Sequence, residues 1–162
     1  MIIRKTTLED LDSVMEIYAY ARKFMSGSGN SHQWINNYPQ IDIIKDDINQ
    51  GVSYVVTEQD KIFGVFSFFL GEDETYHYIE GKWLNDEPYG TIHRIASNGQ
   101  RKEILKTCID YCLKIVNNVR IDTHEDNKVM QHLLEKYGFK KCGIIYLKDG
   151  RPRLAYHLTS LT

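Results

Sequence analysis

Between the turn signals Gln59-Asp60 and Gly71-Glu72-Asp73-Glu74 runs the segment Ile62 to Leu70, apolar at almost every position. A strand with one wet face would alternate apolar and polar residues, so a continuous run predicts a strand covered on both faces. Such a strand lies inside a layered domain. Val52, Tyr54 and Val56 alternate with polar residues just ahead of the Gln59-Asp60 turn, which predicts a partner strand.

Helical periodicity supplies the covering layers. Leu8, Leu11, Val14, Met15, Tyr18 and Ala21 recur at three- and four-residue intervals, which predicts a helix from about Leu8, with Thr7 and Asp10 as a reciprocal cap. It should fade before Ser26-Gly27-Ser28-Gly29. Ile41, Ile44 and Ile48 mark a short amphipathic helix, and Ile104, Leu105, Cys108, Ile109, Cys112, Leu113 and Val116 a long one over 101–116. Val129, Met130, Leu133, Leu134 and Tyr137 mark a fourth, ended at Gly138. Further strands are expected at Ile2–Arg4, Thr91–Ala96, Val119–Asp122, Ile144–Leu147 and Leu154–Leu158, the last two joined through Asp149-Gly150. The order is strand, helix, helix, three strands, helix, strand, helix, two strands: one mixed α/β domain over residues 1–162, with no repeat or linker.

Composition narrows the function. A net charge of −2 argues against a nucleic-acid surface, which needs a concentrated excess of Lys and Arg. No stretch approaches the roughly 20 apolar residues of a membrane span, and the start MIIRKTTLEDL has charges where a secretory signal needs an apolar core, so a cytoplasmic protein is expected. Cys108 and Cys112 fall on the buried face of the long helix, Cys142 stands apart, and no matching Cys or His pair completes a metal site; all three read as core thiols.

Three segments carry chemistry. Ile92-His93-Arg94-Ile95-Ala96-Ser97-Asn98-Gly99-Gln100-Arg101-Lys102 ends a strand and opens a helix; Asp122-Thr123-His124-Glu125-Asp126-Asn127-Lys128-Val129-Met130 repeats that transition; Leu134-Glu135-Lys136-Tyr137-Gly138-Phe139 closes the following helix. Together, over nearly the whole chain, they resemble the GCN5-related N-acetyltransferase (GNAT) family. The resemblance implies the GNAT-like acyl-CoA N-acyltransferase fold, a mixed central β-sheet flanked by helices, and transfer of an acetyl group from acetyl-CoA (coenzyme A) to a primary amine in a bacterial enzyme. The acceptor is a small molecule or a peptide, and a homodimer is compatible with it.

The family's pyrophosphate loop reads Gln or Arg, two residues, Gly, one residue, Gly or Ala, because a diphosphate needs converging backbone N–H groups at a helix N-terminus and small residues for close approach. Gln100 matches; Glu103 and Leu105 replace the small residues, with Arg101, Lys102 and Ile104 between and beside them. Either Glu103 turns outward while Arg101 and Lys102 compensate its charge, or the site has decayed; by residue type alone the segment also reads as a solvated helix start. By the resemblance Asn127 holds the pantetheine arm while capping its helix, a backbone N–H near Ile95 or Ala96 polarises the thioester carbonyl, and Leu134 stands where the family keeps a tyrosine acid. Tyr137 reads as core. Glu80, in the apolar setting Tyr78-Ile79-Glu80-Gly81, is the first candidate for the base and His93 the second. The Gln33-Trp34 and Tyr38-Pro39 loop, similar to one bacterial subgroup, offers Trp34 and Tyr38 as an acceptor wall, with Tyr89 beyond. The rival reading is a non-catalytic acyl-CoA-binding or regulatory domain that kept the fold.

Overall fold

The apolar run is the central strand β3 (Lys61–Leu70), buried from Phe63 to Phe68. In the computed structural model, which describes residues 1–161, Phe66 and Phe68 lie under α3 (Ile104–Leu113) and α4 (Lys128–Lys136). Val65 packs on the other face with α1 (Leu11–Gly27) and α2 (Ile41–Asn49), and Ser67 donates to Asp47 of α2. Covering both faces removes each Val or Phe side chain from water, roughly 1.5–3 kcal/mol apiece, which is why the strand tolerates so little polarity.

The remaining strands are β1 (Ile2–Lys5), β2 (Ser53–Glu58), β4 (Glu80–Gly81), β5 (Gly90–Ser97), β6 (Asn118–Thr123), β7 (Lys140–Tyr146) and β8 (Pro152–Thr159). They form one sheet in the order β1-β2-β3-β5-β6-β8-β7-β4. β4 was outside the expected strands: two residues carry no alternation, and it exists only because Glu80 and Gly81 find Ile144 and Gly143 on β7. A short 3-10 turn at Leu8–Asp10 precedes α1, with the Thr7 N–H donating to Asp10 Oδ2 at 2.8 Å, and α1 runs through Ser26 to Gly27, where fading was expected. α3 begins three residues later than the periodicity suggests, because 98–103 is a loop.

Two irregularities set up the site. β5 and β6 are parallel, but only Gly90↔Val119 and Thr91↔Arg120 pair, so beyond them the strands part and open a gap. The second is a bulge in β5, where the pairing with β3 shifts between Val65 and Ser67 and Arg94 takes φ 52°. A left-handed non-glycine residue costs on the order of 1–2 kcal/mol. Here the cost is offset by a bidentate bond from Arg94 to Asp47, both contacts 2.8 Å, and by the Tyr18 hydroxyl donating to the Arg94 carbonyl at 2.7 Å.

The connection between β3 and β5 folds onto the α1/α2 side of the sheet. Tyr76, Trp83 and Tyr89 are buried with Ile145 of β7 and Ala155 of β8, and the Arg120 guanidinium lies 4.2 Å from the Trp83 ring and 3.8 Å from that of Tyr89. His157 anchors the same segment: Nδ1 accepts the Leu84 N–H and Nε2 donates to Asn118, with burial pushing the imidazole down to about 4.

Candidate active site

The gap between β5 and β6 continues into a cleft of about 270 Å³. Its walls are the C-terminal half of α1 (Tyr20, Phe24, Met25), the end of β5 (Ile95, Ala96, Ser97), the loop into α3, and the first turns of α4 (Asn127, Val129, Met130). Backbone direction decides which amides face it. The Asn98 N–H donates to Phe63 of β3, and Ala96 lies opposite Val65, so alternate amides at 96 and 98 are turned toward β3. Those of Ile95 and Ser97 therefore point toward the departed β6, into the gap. The amide of Ala96, also expected as a carbonyl donor, is committed to the sheet.

The loop from Asn98 to Glu103 turns sharply between β5 and α3, with the Gln100 N–H donating to Asn98 Oδ1 at 3.0 Å. Gly99 (φ 75°) and Glu103 (φ 62°) are both left-handed, and a Cβ at Gly99 would stand 2.7 Å from the Tyr20 hydroxyl. The first-turn amides of α3 have no carbonyl a turn earlier to bond. Among the residues expected to hold a cofactor, Ile95, Ala96, Arg101, Glu103, Ile104, Leu105 and Asn127 line the cleft, whereas Gln100 and Lys102 are exposed on the loop and do not. Arg101 stacks over Phe63 at 4.1 Å and reaches Glu58 at 3.5 Å, so its charge is already shared. Leu105 turns into the core, and its size does not block the loop. Glu103 is exposed.

A carboxylate on a glycine-like backbone makes a prediction. Glu103→Gly relieves left-handed strain but adds freedom to the unfolded chain, for a net gain of about 0.5 kcal/mol in stability. Removing a negative charge beside a helix N-terminus should tighten coenzyme A binding about threefold. Thermal melts and calorimetric titration of the variant check both; unchanged affinity would mean that the loop does not meet the diphosphate.

On the α1/α2 face of β5, His93 meets Asp73 at the start of the 3-10 turn Glu74–Tyr76, Nε2 to Oδ2 2.7 Å. The other Asp73 oxygen accepts from the Thr75 N–H (2.9 Å) and hydroxyl (2.7 Å). Burial alone would raise the Asp73 carboxyl, but the bonds from His93 and Thr75 outweigh it and hold the group at about 2. An ionised carboxylate only accepts, so His93 donates through Nε2; in the neutral imidazole this leaves the lone pair on Nδ1. Asp73 had no mark in the sequence beyond an acidic turn. Beside this pair, the Tyr76 hydroxyl donates to Asp122 at 2.7 Å.

Other expected residues fall elsewhere. Glu80 is exposed on β4, where it accepts from the Tyr146 hydroxyl at 2.8 Å. Three strand positions separate β4 from β6, about 14 Å at 4.8 Å per strand, so the apolar setting expected for Glu80 is absent and the gap is out of reach. Tyr89 is buried, and its hydroxyl accepts the Asp73 N–H at 2.7 Å, so it steadies Asp73 and does not form an acceptor wall. Trp34 and Tyr38 pack at 6.0 Å, Trp34 also against Tyr18, and the Tyr38 hydroxyl accepts from Arg94. Leu134 is fully buried under the sheet, whereas Tyr137, read as core, is half-buried and lines the cleft.

Comparison with known proteins bears on the fold and the family. The family model for the acetyltransferase (GNAT) domain matches residues 1–140. A GNAT-family acetyltransferase from Streptococcus agalactiae 2603 is 34% identical, with 99% of this chain and 96% of that one covered and a TM-score of 0.86. A structure from Staphylococcus aureus MU50 is 25% identical over 98% of this chain and 99% of that one (TM-score 0.71). The PaiA N-acetyltransferase of Thermoplasma acidophilum, solved with coenzyme A, shares the fold at 16% identity, 98% of each chain and a TM-score of 0.71. No curated protein sequence is significantly similar. With a matching domain model over most of its length and a 34% identical relative along nearly all of it, this chain belongs to the GNAT acetyltransferase family.

Proposed function

We propose that the chain is an acetyl-CoA-dependent N-acetyltransferase that acts on a primary amine by direct transfer, with both reactants held in the gap between β5 and β6. The observation that carries this reading is that β5 both ends in the wall of the cleft and carries His93, which is hydrogen-bonded to the ionised Asp73. Acetyl-CoA supplies the acyl group as a thioester.

The chain's own residues account for the rest. The loop Asn98–Glu103 and the α3 amides would hold the diphosphate, and the N–H of Ile95 would polarise the thioester carbonyl as an oxyanion donor does. His93, two residues earlier on β5, accepts at Nδ1 the proton that the acceptor ammonium must lose before its nitrogen lone pair can attack. Asp73 keeps the imidazole in the tautomer that leaves Nδ1 free and balances the charge that results. Trp34 and Tyr38 border the acceptor side. No tyrosine acid stands at position 134, and a thiol of pKa about 8.5 is a tolerable leaving group as thiolate.

A filled core explains why a tyrosine at position 134 would not restore an acid: Leu134 is 0% exposed, and a larger ring there would overpack the core. The exposed Glu103 favours a second reading, in which the fold binds acyl-CoA weakly and does no chemistry. Amine-dependent release of free coenzyme A thiol from acetyl-CoA separates the two.

A further inference from the structure

The segment between α1 and α2 is held at Tyr38 by Arg94 and Arg22, and it is joined to the β6–α4 side of the gap by the side chain of Gln33. Its Oε1 accepts from Asn30 Nδ2 (2.9 Å), Asn127 Nδ2 (2.9 Å) and, more loosely, Thr123 Oγ1 (3.4 Å), while its backbone carbonyl accepts from Arg153 at 3.2 Å. Amide orientation in this chain is determined, not free. Asn127 caps α4, with Oδ1 accepting the Met130 N–H at 3.0 Å, so its Nδ2 must be the donor. That makes the Gln33 atom an oxygen, which in turn makes the Asn30 atom a nitrogen. The last atom, Asn30 Oδ1, is buried with no donor among the described residues, and Asn30 itself is 2% exposed.

Asn30 and Asn127 both line the cofactor cleft, whereas Gln33 and its neighbour Trp34 do not. The network therefore begins and ends at the cofactor wall and passes through the loop that carries Trp34 and Tyr38. Asn127 retains one hydrogen and one lone pair for a ligand after its two protein bonds, and Asn30 retains an unmet acceptor. An amide N–H is the chemistry that would meet it, and a buried unmet acceptor is costly enough for its satisfaction to shift the loop.

We infer that Gln33 is a positioning residue that links the pantetheine side of the cleft to the acceptor loop, so that cofactor binding sets the loop for the amine. This rests on the acyl-CoA reading. The consequence is an ordered site: the acceptor wall is complete only after the amide-bearing arm lies between Asn30 and Asn127.

Coenzyme A titrated into the intact protein, followed in parallel by calorimetry and tryptophan emission, tests the link. The chain has two tryptophans, so Trp34→Phe assigns the signal. Binding should change Trp34 emission although Trp34 is outside the cleft. In Gln33→Ala the emission change should vanish and affinity fall about fivefold, the value of one such bond, with the melting temperature confirming a folded protein. Gln33→Glu keeps oxygen acceptors for both asparagines and should keep most of the response. Heat of binding without a Trp34 response in the wild type, or an unaltered response in Gln33→Ala, overturns the link and leaves the cofactor reading standing. Absence of binding heat overturns both.

Discussion

Replacing His93 by glutamine is expected to lower amine-dependent thiol release by a hundredfold or more at neutral pH, with coenzyme A affinity unchanged. The size follows from the work assigned to the residue: a positioned general base contributes on the order of 10²–10⁴ in rate. Glutamine keeps a hydrogen-bond donor toward Asp73, so the turn at Glu74–Tyr76 should hold its place and the loss should report proton transfer. Asp73 stays ionised across the working pH range, since its carboxyl is held at about 2 by His93 and Thr75 against the effect of burial. Asp73→Asn is therefore expected to act only through the imidazole, cutting kcat about tenfold with little change in the acceptor KM. A merely structural Asp73 would instead lower the melting temperature and leave kcat per folded molecule alone. If His93→Gln retains wild-type turnover, the proton leaves by another route and the couple is structural.

The second large effect concerns stability. Gly143→Ala should destabilise the domain by about 3 kcal/mol, in the range reserved for strain at special backbone positions. Gly143 has φ 151°, and a Cβ there would collide with the Glu80 carbonyl oxygen and approach the Gly81 Cα at 3.0 Å. Gly81 on the facing strand is equally closed in, so the two backbones meet at a point where neither tolerates a side chain. For a domain of this size the expected fall in melting temperature is about 6–12 °C. A shift below 2 °C would mean that β4 peels away at little cost.

The layered architecture was legible because the features that determine it are local in sequence: an apolar run for β3, three- and four-residue periodicity for the helices, and Asn127 as the cap of α4. Ala96 and Asn127, from the two strand-to-helix segments, both line the cleft. Non-local contacts defeated the rest. Glu80 sits among apolar neighbours in sequence, yet it lies on an edge strand whose existence depends on Gly143, more than sixty positions away in the chain. The Asp73–His93 couple joins residues twenty apart through a turn held by Tyr89, and no spacing rule connects them. The bulge at Arg94 depends on Asp47 and Tyr18, two side chains from different helices. Tyr137 packs against the core as expected but also lines the cleft, because a helix face that borders a cleft has the same periodicity as one that borders the core.

The central claim is that this site transfers an acetyl group from acetyl-CoA to an amine. Its most direct test is continuous detection of free coenzyme A thiol from acetyl-CoA, run with the intact protein across a panel of small primary amines and N-terminal peptides. The account predicts slow release without acceptor, a saturable increase with at least one amine, a product heavier by one acetyl group, and loss of that increase in His93→Gln. Binding of acetyl-CoA with no amine-dependent release across the panel would contradict it and leave an acyl-CoA-binding domain without transferase activity.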